Sequence, residues 1–179
     1  MRVIAGSARG VRLARVPAGT RPLSDRAREG LFSSLGNRVA GARCADLFAG
    51  TGAVGIEALS RGGAACLFVD SSSAAVRVVR DNLARVRLAD RGRVVRADAL
   101  AALNRERGPF DLVFLDPPYR HPIERLRATV ARAATVASGG TVVLTRPRKG
   151  SNDVIPVNWT AVKVLTYGDT RILILGEGP

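Results

Sequence analysis

With 179 residues and 46% hydrophobic side chains, the chain has the size of one ordinary domain and enough apolar material for a real core, which excludes wholesale disorder. No apolar run approaches the roughly 18–20 residues that span a bilayer, the N-terminus lacks a signal peptide's apolar stretch, and two cysteines are too few for a disulfide scaffold. A formal charge of +13, from 28 basic and 15 acidic residues, points to a polyanionic partner such as nucleic acid.

The charge is uneven. Residues 1–43 carry nine arginines against Asp25 and Glu29, so a basic N-terminal extension (residues 1–42) precedes a more neutral body (residues 43–179). All but two of the basic residues are arginine, a bias that a GC-rich genome also produces, but that bias accounts less well for the shortage of acids. Val3–Ala5 and Val11–Ala14 flank Gly6-Ser7-Ala8-Arg9-Gly10 and predict a small hairpin. Pro17, Gly19 and Pro22 mark a loop. Ser24 is placed to cap a helix reaching about Leu35, with Ala27, Leu31 and Leu35 on one face.

From Arg43 onward, short apolar runs alternate with helical patterns. Strands are expected at Cys44–Phe48, Cys66–Asp70, Val94–Arg96, Phe110–Leu115, Thr141–Thr145, Ala161–Tyr167 and Arg171–Leu175. Helices are expected at Val54–Arg61, Ser73–Arg87, Ala99–Arg107 and Pro122–Ala137. Continuous apolar strands alternating with helices imply a parallel sheet covered on both faces. Cys44 and Cys66 fall inside such strands and read as buried, reduced thiols. The last two strands are joined only by Gly168-Asp169-Thr170, too short for a parallel crossover, so they pair antiparallel.

Two motifs carry chemistry. In Asp46-Leu47-Phe48-Ala49-Gly50-Thr51-Gly52-Ala53-Val54-Gly55, glycines follow a strand and open a helix, letting backbone approach a ligand at a helix N-terminus. Asp70, 20 residues beyond Gly50 at the tip of the next strand, is placed to accept hydrogen bonds from ribose hydroxyls. Asp98 could contact an adenine or simply cap the helix starting at Ala99. The second motif is Asp116-Pro117-Pro118-Tyr119, at the carboxyl end of a central strand. Its prolines stiffen the loop and remove donors. A carboxylate and a carbonyl (Asp116, Pro117) suit the two N–H groups of an amine. Tyr119 offers a face on which an extruded base can stack. His121 and two separated cysteines do not make a zinc site of usual spacing, so no metal is expected. Trp159 is expected to pack.

With these motifs the chain resembles the RsmD family, bacterial S-adenosylmethionine-dependent enzymes that methylate a guanine N2 of 16S ribosomal RNA. The likeness includes Arg2-Val3-Ile4-Ala5-Gly6 with Arg9-Gly10, Thr20-Arg21-Pro22-Leu23-Ser24-Asp25-Arg26-Ala27-Arg28-Glu29-Gly30-Leu31-Phe32, both motifs above and Tyr167-Gly168-Asp169-Thr170. It implies a class I methyltransferase (Rossmann-like) α/β fold, with a mostly parallel seven-stranded sheet whose last strand is antiparallel. It implies cofactor contacts from Asp46, Phe48, Gly50, Gly52, Asp70, Asp98 and Ala99, and catalytic roles for Asp116, Pro117, Pro118 and Tyr119. RNA would meet Arg2, Arg9, Arg12, Arg21, Arg26 and Arg28. Ala8 departs from the family pattern, since many relatives carry a bulkier residue such as Trp there. The expected protein is a cytoplasmic monomer acting on 16S RNA, free or within the small subunit, without metal or membrane. An adenine-N6 DNA methyltransferase and a nicotinamide oxidoreductase are the competing readings.

Overall fold

The computed structural model describes residues 1–15, 23–150 and 153–178. Arg21, with Thr20 and Pro22 of the resemblance motif, lies outside the described residues. Seven strands form one sheet: β1 (Arg43–Leu47), β2 (Ala65–Asp70), β3 (Gly92–Arg96), β4 (Leu112–Leu115), β5 (Thr141–Pro147), β6 (Trp159–Tyr167) and β7 (Thr170–Glu177). Their spatial order is β3-β2-β1-β4-β5-β7-β6. The first five strands pair in parallel; β7 runs antiparallel to both β5 and β6. The expected mixed sheet is what folds. The chain starts at the sheet centre, winds out to β3 and returns to β4, so the loops after β1 and β4 face each other where the winding reverses.

Helices α1 (Asp25–Leu35), α2 (Ala53–Ser60) and α3 (Ser73–Arg85) accompany one face, and α4 (Ala99–Arg105) and α5 (Ile123–Val136) the other. Side-chain alternation assigns Cys44, Leu112 and Phe114 to the first core, and Ala45, Leu47, Val113 and Leu115 to the second. Each of the fully buried leucines and phenylalanines removes enough apolar surface to contribute about 1.5–3 kcal/mol. Both cysteines are buried and unpaired with one another, and burial pushes the Cys44 thiol up to about 12. Trp159 packs in the second core as expected.

The N-terminal segment is stitched down, not appended. Val3, Leu13, Leu23, Leu31 and Phe32 share the first core with the sheet. Ser24 caps α1 by accepting from the Ala27 N–H, and Phe32 meets Phe114 with ring centroids 5.9 Å apart. The expected hairpin reduces to a turn with one antiparallel bridge, Arg2 to Arg12. Val3 and Leu13 donate across it to the Val11 and Met1 carbonyls, and Gly10 donates to Val3; beyond Val3 the buried Glu57 carboxylate accepts the Ile4 and Ala5 N–H groups at 2.8 and 3.0 Å, and Ser60 takes those of Ser7 and Ala8. The pairing stops after Val3, and the residues that follow are bonded to α2.

Candidate active site

The glycine turn begins at the carboxyl end of β1. Phe48 has φ +63°, a left-handed conformation that costs a β-carbon-bearing residue strain and is characteristic of functional loops. Gly50 (φ +55°) and Gly52 (φ +75°) complete the turn into α2. The third glycine has a different task. A Cβ at Gly55 would collide with the Phe68 ring and the Cys66 sulfur, so glycine here lets α2 lie close on β2.

Asp46 is buried, and its Oδ2 accepts the Gly55 N–H at 2.9 Å, locking the turn from below. Desolvation pushes its carboxyl up to about 8; the Gly55 N–H opposes this, while Asp116 and Asp70 push it the same way. Asp70, half-buried at the end of β2, accepts from Gly50 N at 2.9 Å and Ser72 N at 2.8 Å. Each oxygen accepting one N–H retains lone-pair capacity for a further donor.

Asp116 follows β4 directly. In the parallel register Leu47 lies opposite Leu115, and the Asp116 N–H reaches the Leu47 carbonyl at 3.5 Å. The acid therefore stands beside Phe48 and the start of the glycine turn. Burial pushes its carboxyl up to about 6, against a hydrogen bond from the Thr145 hydroxyl. Pro117 is buried and Pro118 exposed, with the Pro118 carbonyl accepting from His121 N. Tyr119 is 52% exposed, and its hydroxyl lies 2.8 Å from the Thr170 hydroxyl.

Asp98 does cap α4, accepting from Ala101 N, and it pairs with Arg125 at 3.0 Å; Ala99 behind it is buried. His121 packs edge-on against Phe48, with centroids 5.1 Å apart, so the two loops touch. Burial, then Arg125, hold its imidazole below the ordinary value, with Asp98 opposing.

The basic residues divide. Arg2, Arg9, Arg12 and Arg26 are exposed. Arg28 is not: it is fully buried, donating to the Arg2 carbonyl and to Asp25. The expectation that Arg28 meets RNA is therefore corrected. Its position beside Leu31 and Phe32 on the inward face of α1 removes it from solvent. Desolvation lowers its guanidinium from the ordinary value, and Asp25 and Glu57 oppose this.

Sequence reading missed Thr145, Glu57, Asn82 and Thr170. Asn82 is buried and joins the extension to the glycine turn: its amide donates to Thr51 and Ala14 carbonyls and accepts from Ala14 N. A signal existed for three of them: Glu57 and Thr145 are polar residues in largely apolar elements, and Asn82 falls on the apolar face of an amphipathic helix. Thr170 stood in the closing Tyr167–Thr170 stretch of the resemblance, but nothing local tied its hydroxyl to Tyr119.

The donor set fits a cofactor carrying a ribose and a charged amino-acid end: glycines without side chains, a helix N-terminus and an acceptor at the β2 tip. Among the described residues, no group of His, Cys, Asp and Glu could hold a metal ion. No helix among them is long and apolar enough to cross a membrane.

Comparison with known proteins places the whole chain. A family model described as "Conserved hypothetical protein 95" matches residues 1–176. The Bacillus subtilis protein named "Putative rRNA methyltransferase YlbH" is 37% identical over 180 residues, 97% of each chain. The ribosomal RNA small subunit methyltransferase D of Escherichia coli K12 is 34% identical over 163 residues, 89% of this chain and 81% of its own. Among solved structures, yhhF from Escherichia coli superposes with a TM-score of 0.86 at 32% identity, covering 99% of this chain and 97% of its own. A hypothetical protein of Thermus thermophilus gives 0.81 at 32%, covering 97% and 98%. With the glycine turn, the Asp-Pro-Pro-Tyr loop and the closing antiparallel hairpin gathered on a sheet of this order, the chain belongs to the RsmD family of ribosomal RNA methyltransferases.

Proposed function

We propose that this protein transfers a methyl group from S-adenosylmethionine to the exocyclic N2 amine of a guanine in 16S ribosomal RNA, acting in the cytoplasm as a monomer. The observation that supports the reading is the position of Asp116 directly after β4, with its N–H toward the Leu47 carbonyl at the end of β1 that opens the glycine turn, whose Gly50 N–H is in turn accepted by Asp70. The names of the relatives supply the RNA.

Asp46, Phe48, Gly50, Gly52, Asp70, Asp98 and Ala99 would hold the cofactor, with Asp70 accepting from its ribose hydroxyls. When bound, S-adenosylmethionine supplies an electrophilic sulfonium methyl. Asp116 and the Pro117 carbonyl accept the two N–H groups of the base amine, which draws its lone pair out of ring conjugation and aims it at the cofactor side. Tyr119 stacks the extruded base, an interaction worth about 1–3 kcal/mol per base, and Pro118 limits the loop's freedom. A carboxyl raised to about 6 is ionised at neutral pH yet basic enough to receive the proton that the methylated amine sheds. Orientation and a pre-aligned charge do most of the work. Arg2, Arg9, Arg12, Arg21 and Arg26 supply phosphate contacts.

The test is methylation with labelled cofactor of 16S RNA and of small subunits lacking the modification, followed by mapping of the labelled base. Label on a guanine N2 supports the reading. Label confined to adenine N6 of DNA, or none on any nucleic acid, overturns it.

A further inference from the structure

The antiparallel hairpin that closes the sheet reaches the candidate site through the Thr170 hydroxyl. Thr170 opens β7 opposite Pro147 of β5 and Tyr167 of β6. Its hydroxyl lies 2.8 Å from that of Tyr119, 51 residues earlier in the chain. The turn carrying it is fixed on two further sides: Arg148 N donates to the Asp169 carbonyl at 2.8 Å, and the Tyr167 hydroxyl lies where a side chain at Gly30 of α1 would stand. An exposed tyrosine ordinarily samples several staggered wells. Here the ring is held at its root by a stiff Pro-Pro loop and at its tip by the hairpin.

We propose that Thr170 is a positioning residue for methyl transfer: its hydroxyl holds the Tyr119 ring as a preset platform for the target base. The inference rests on the reading of Tyr119 as the stacking surface. A platform already in place spares the base the cost of ordering the ring on arrival. The backbone ladder to β5 fixes Thr170 whether or not it has a hydroxyl, so the fold does not require the tether and its effect is separable from stability. On this view the antiparallel β7, which distinguishes this sheet from all-parallel nucleotide-binding sheets, delivers part of the site.

The experiment compares T170V, T170S, Y119F and the Y119F/T170V double variant in steady-state methylation of 16S RNA or small subunits. T170V removes the hydroxyl and keeps a β-branched shape. Losing one neutral hydrogen bond predicts a fall of about three- to tenfold in kcat/KM for RNA, with KM for S-adenosylmethionine and the melting temperature unchanged. T170S restores wild-type behaviour, Y119F matches T170V, and the double variant is no worse than either single one. An indifferent T170V, a T170S as slow as T170V, or multiplying defects in the double variant would overturn the proposal. So would a faster T170V, which would make the contact a latch that the base must break. Those results leave the function itself standing; a wild-type protein that methylates no guanine defeats the function, and this role with it.

Discussion

Two carboxyl groups in this site are raised by the same cause, loss of water, yet they do different things. Asp116 is raised to about 6 at the mouth of the site. Its activity needs the ionised form as hydrogen-bond acceptor, and the proton returns as pH falls through that value. We expect kcat/KM to drop about tenfold per pH unit below about 6. D116N should be slow at every pH and D116A slower by at least about 10²–10³-fold at neutral pH; a D116A protein with near-normal turnover would remove Asp116 from the mechanism.

Asp46, by contrast, is raised to about 8 beneath the glycine turn. A carboxyl whose folded value exceeds its ordinary value of 3.8 holds its proton more tightly when folded. Its contribution to stability is therefore full below about pH 4 and is lost progressively as pH rises toward 8. The measurement is melting temperature against pH for wild type and D46N. An amide oxygen can still accept the Gly55 N–H and does not titrate, so the D46N curve should be flatter between pH 5 and 8. Parallel curves would place the titration elsewhere.

At the scale of elements, the extension depends on α2 more than on its own turn. Glu57 accepts two backbone N–H groups from the first five residues and pairs with Arg61, all from a buried position. Arg28, also buried, feels its charge. E57A strands these partners without a counter-charge, and removing one side of such a buried cluster costs about 3–5 kcal/mol. Urea unfolding should show that loss, with E57Q falling between because it still offers one oxygen. If E57A were as stable as wild type, residues 1–15 would be held by their apolar contacts and by the bonds to Ser60 and Asn82.

For the whole molecule, the charge of +13 acts through those arginines that reach solvent. Replacing Arg2, Arg9, Arg12 and Arg26 by Ala should weaken RNA binding across sequences and flatten its salt dependence, by about 0.7 in log–log slope for each single-strand phosphate that is no longer neutralised. R28A should leave that slope alone and instead destabilise the fold, because truncating a fully buried side chain leaves its space unfilled and removes the bonds to the Arg2 carbonyl and to the half-exposed Asp25. A full slope change from R28A would mean that this helix face opens to RNA.

How far the sequence alone reached follows from the range of the forces involved. Strands, helices and the antiparallel ending were legible because hydrophobic periodicity and connection length are local properties of the chain. That the Asp46–Gly55 turn, Asp70 and the Asp116–Tyr119 loop stand at the carboxyl ends of strands was legible because each is a short stretch adjoining an apolar run. What lay beyond reach required contacts between distant parts of the chain. The Ile4 and Ala5 N–H groups went to Glu57, Tyr119 found Thr170, and a basic residue among many turned inward as Arg28. Periodicity can say that a helix has an inner face; only tertiary packing decides which polar groups share that interior, since burying one is tolerable only where a distant partner meets it.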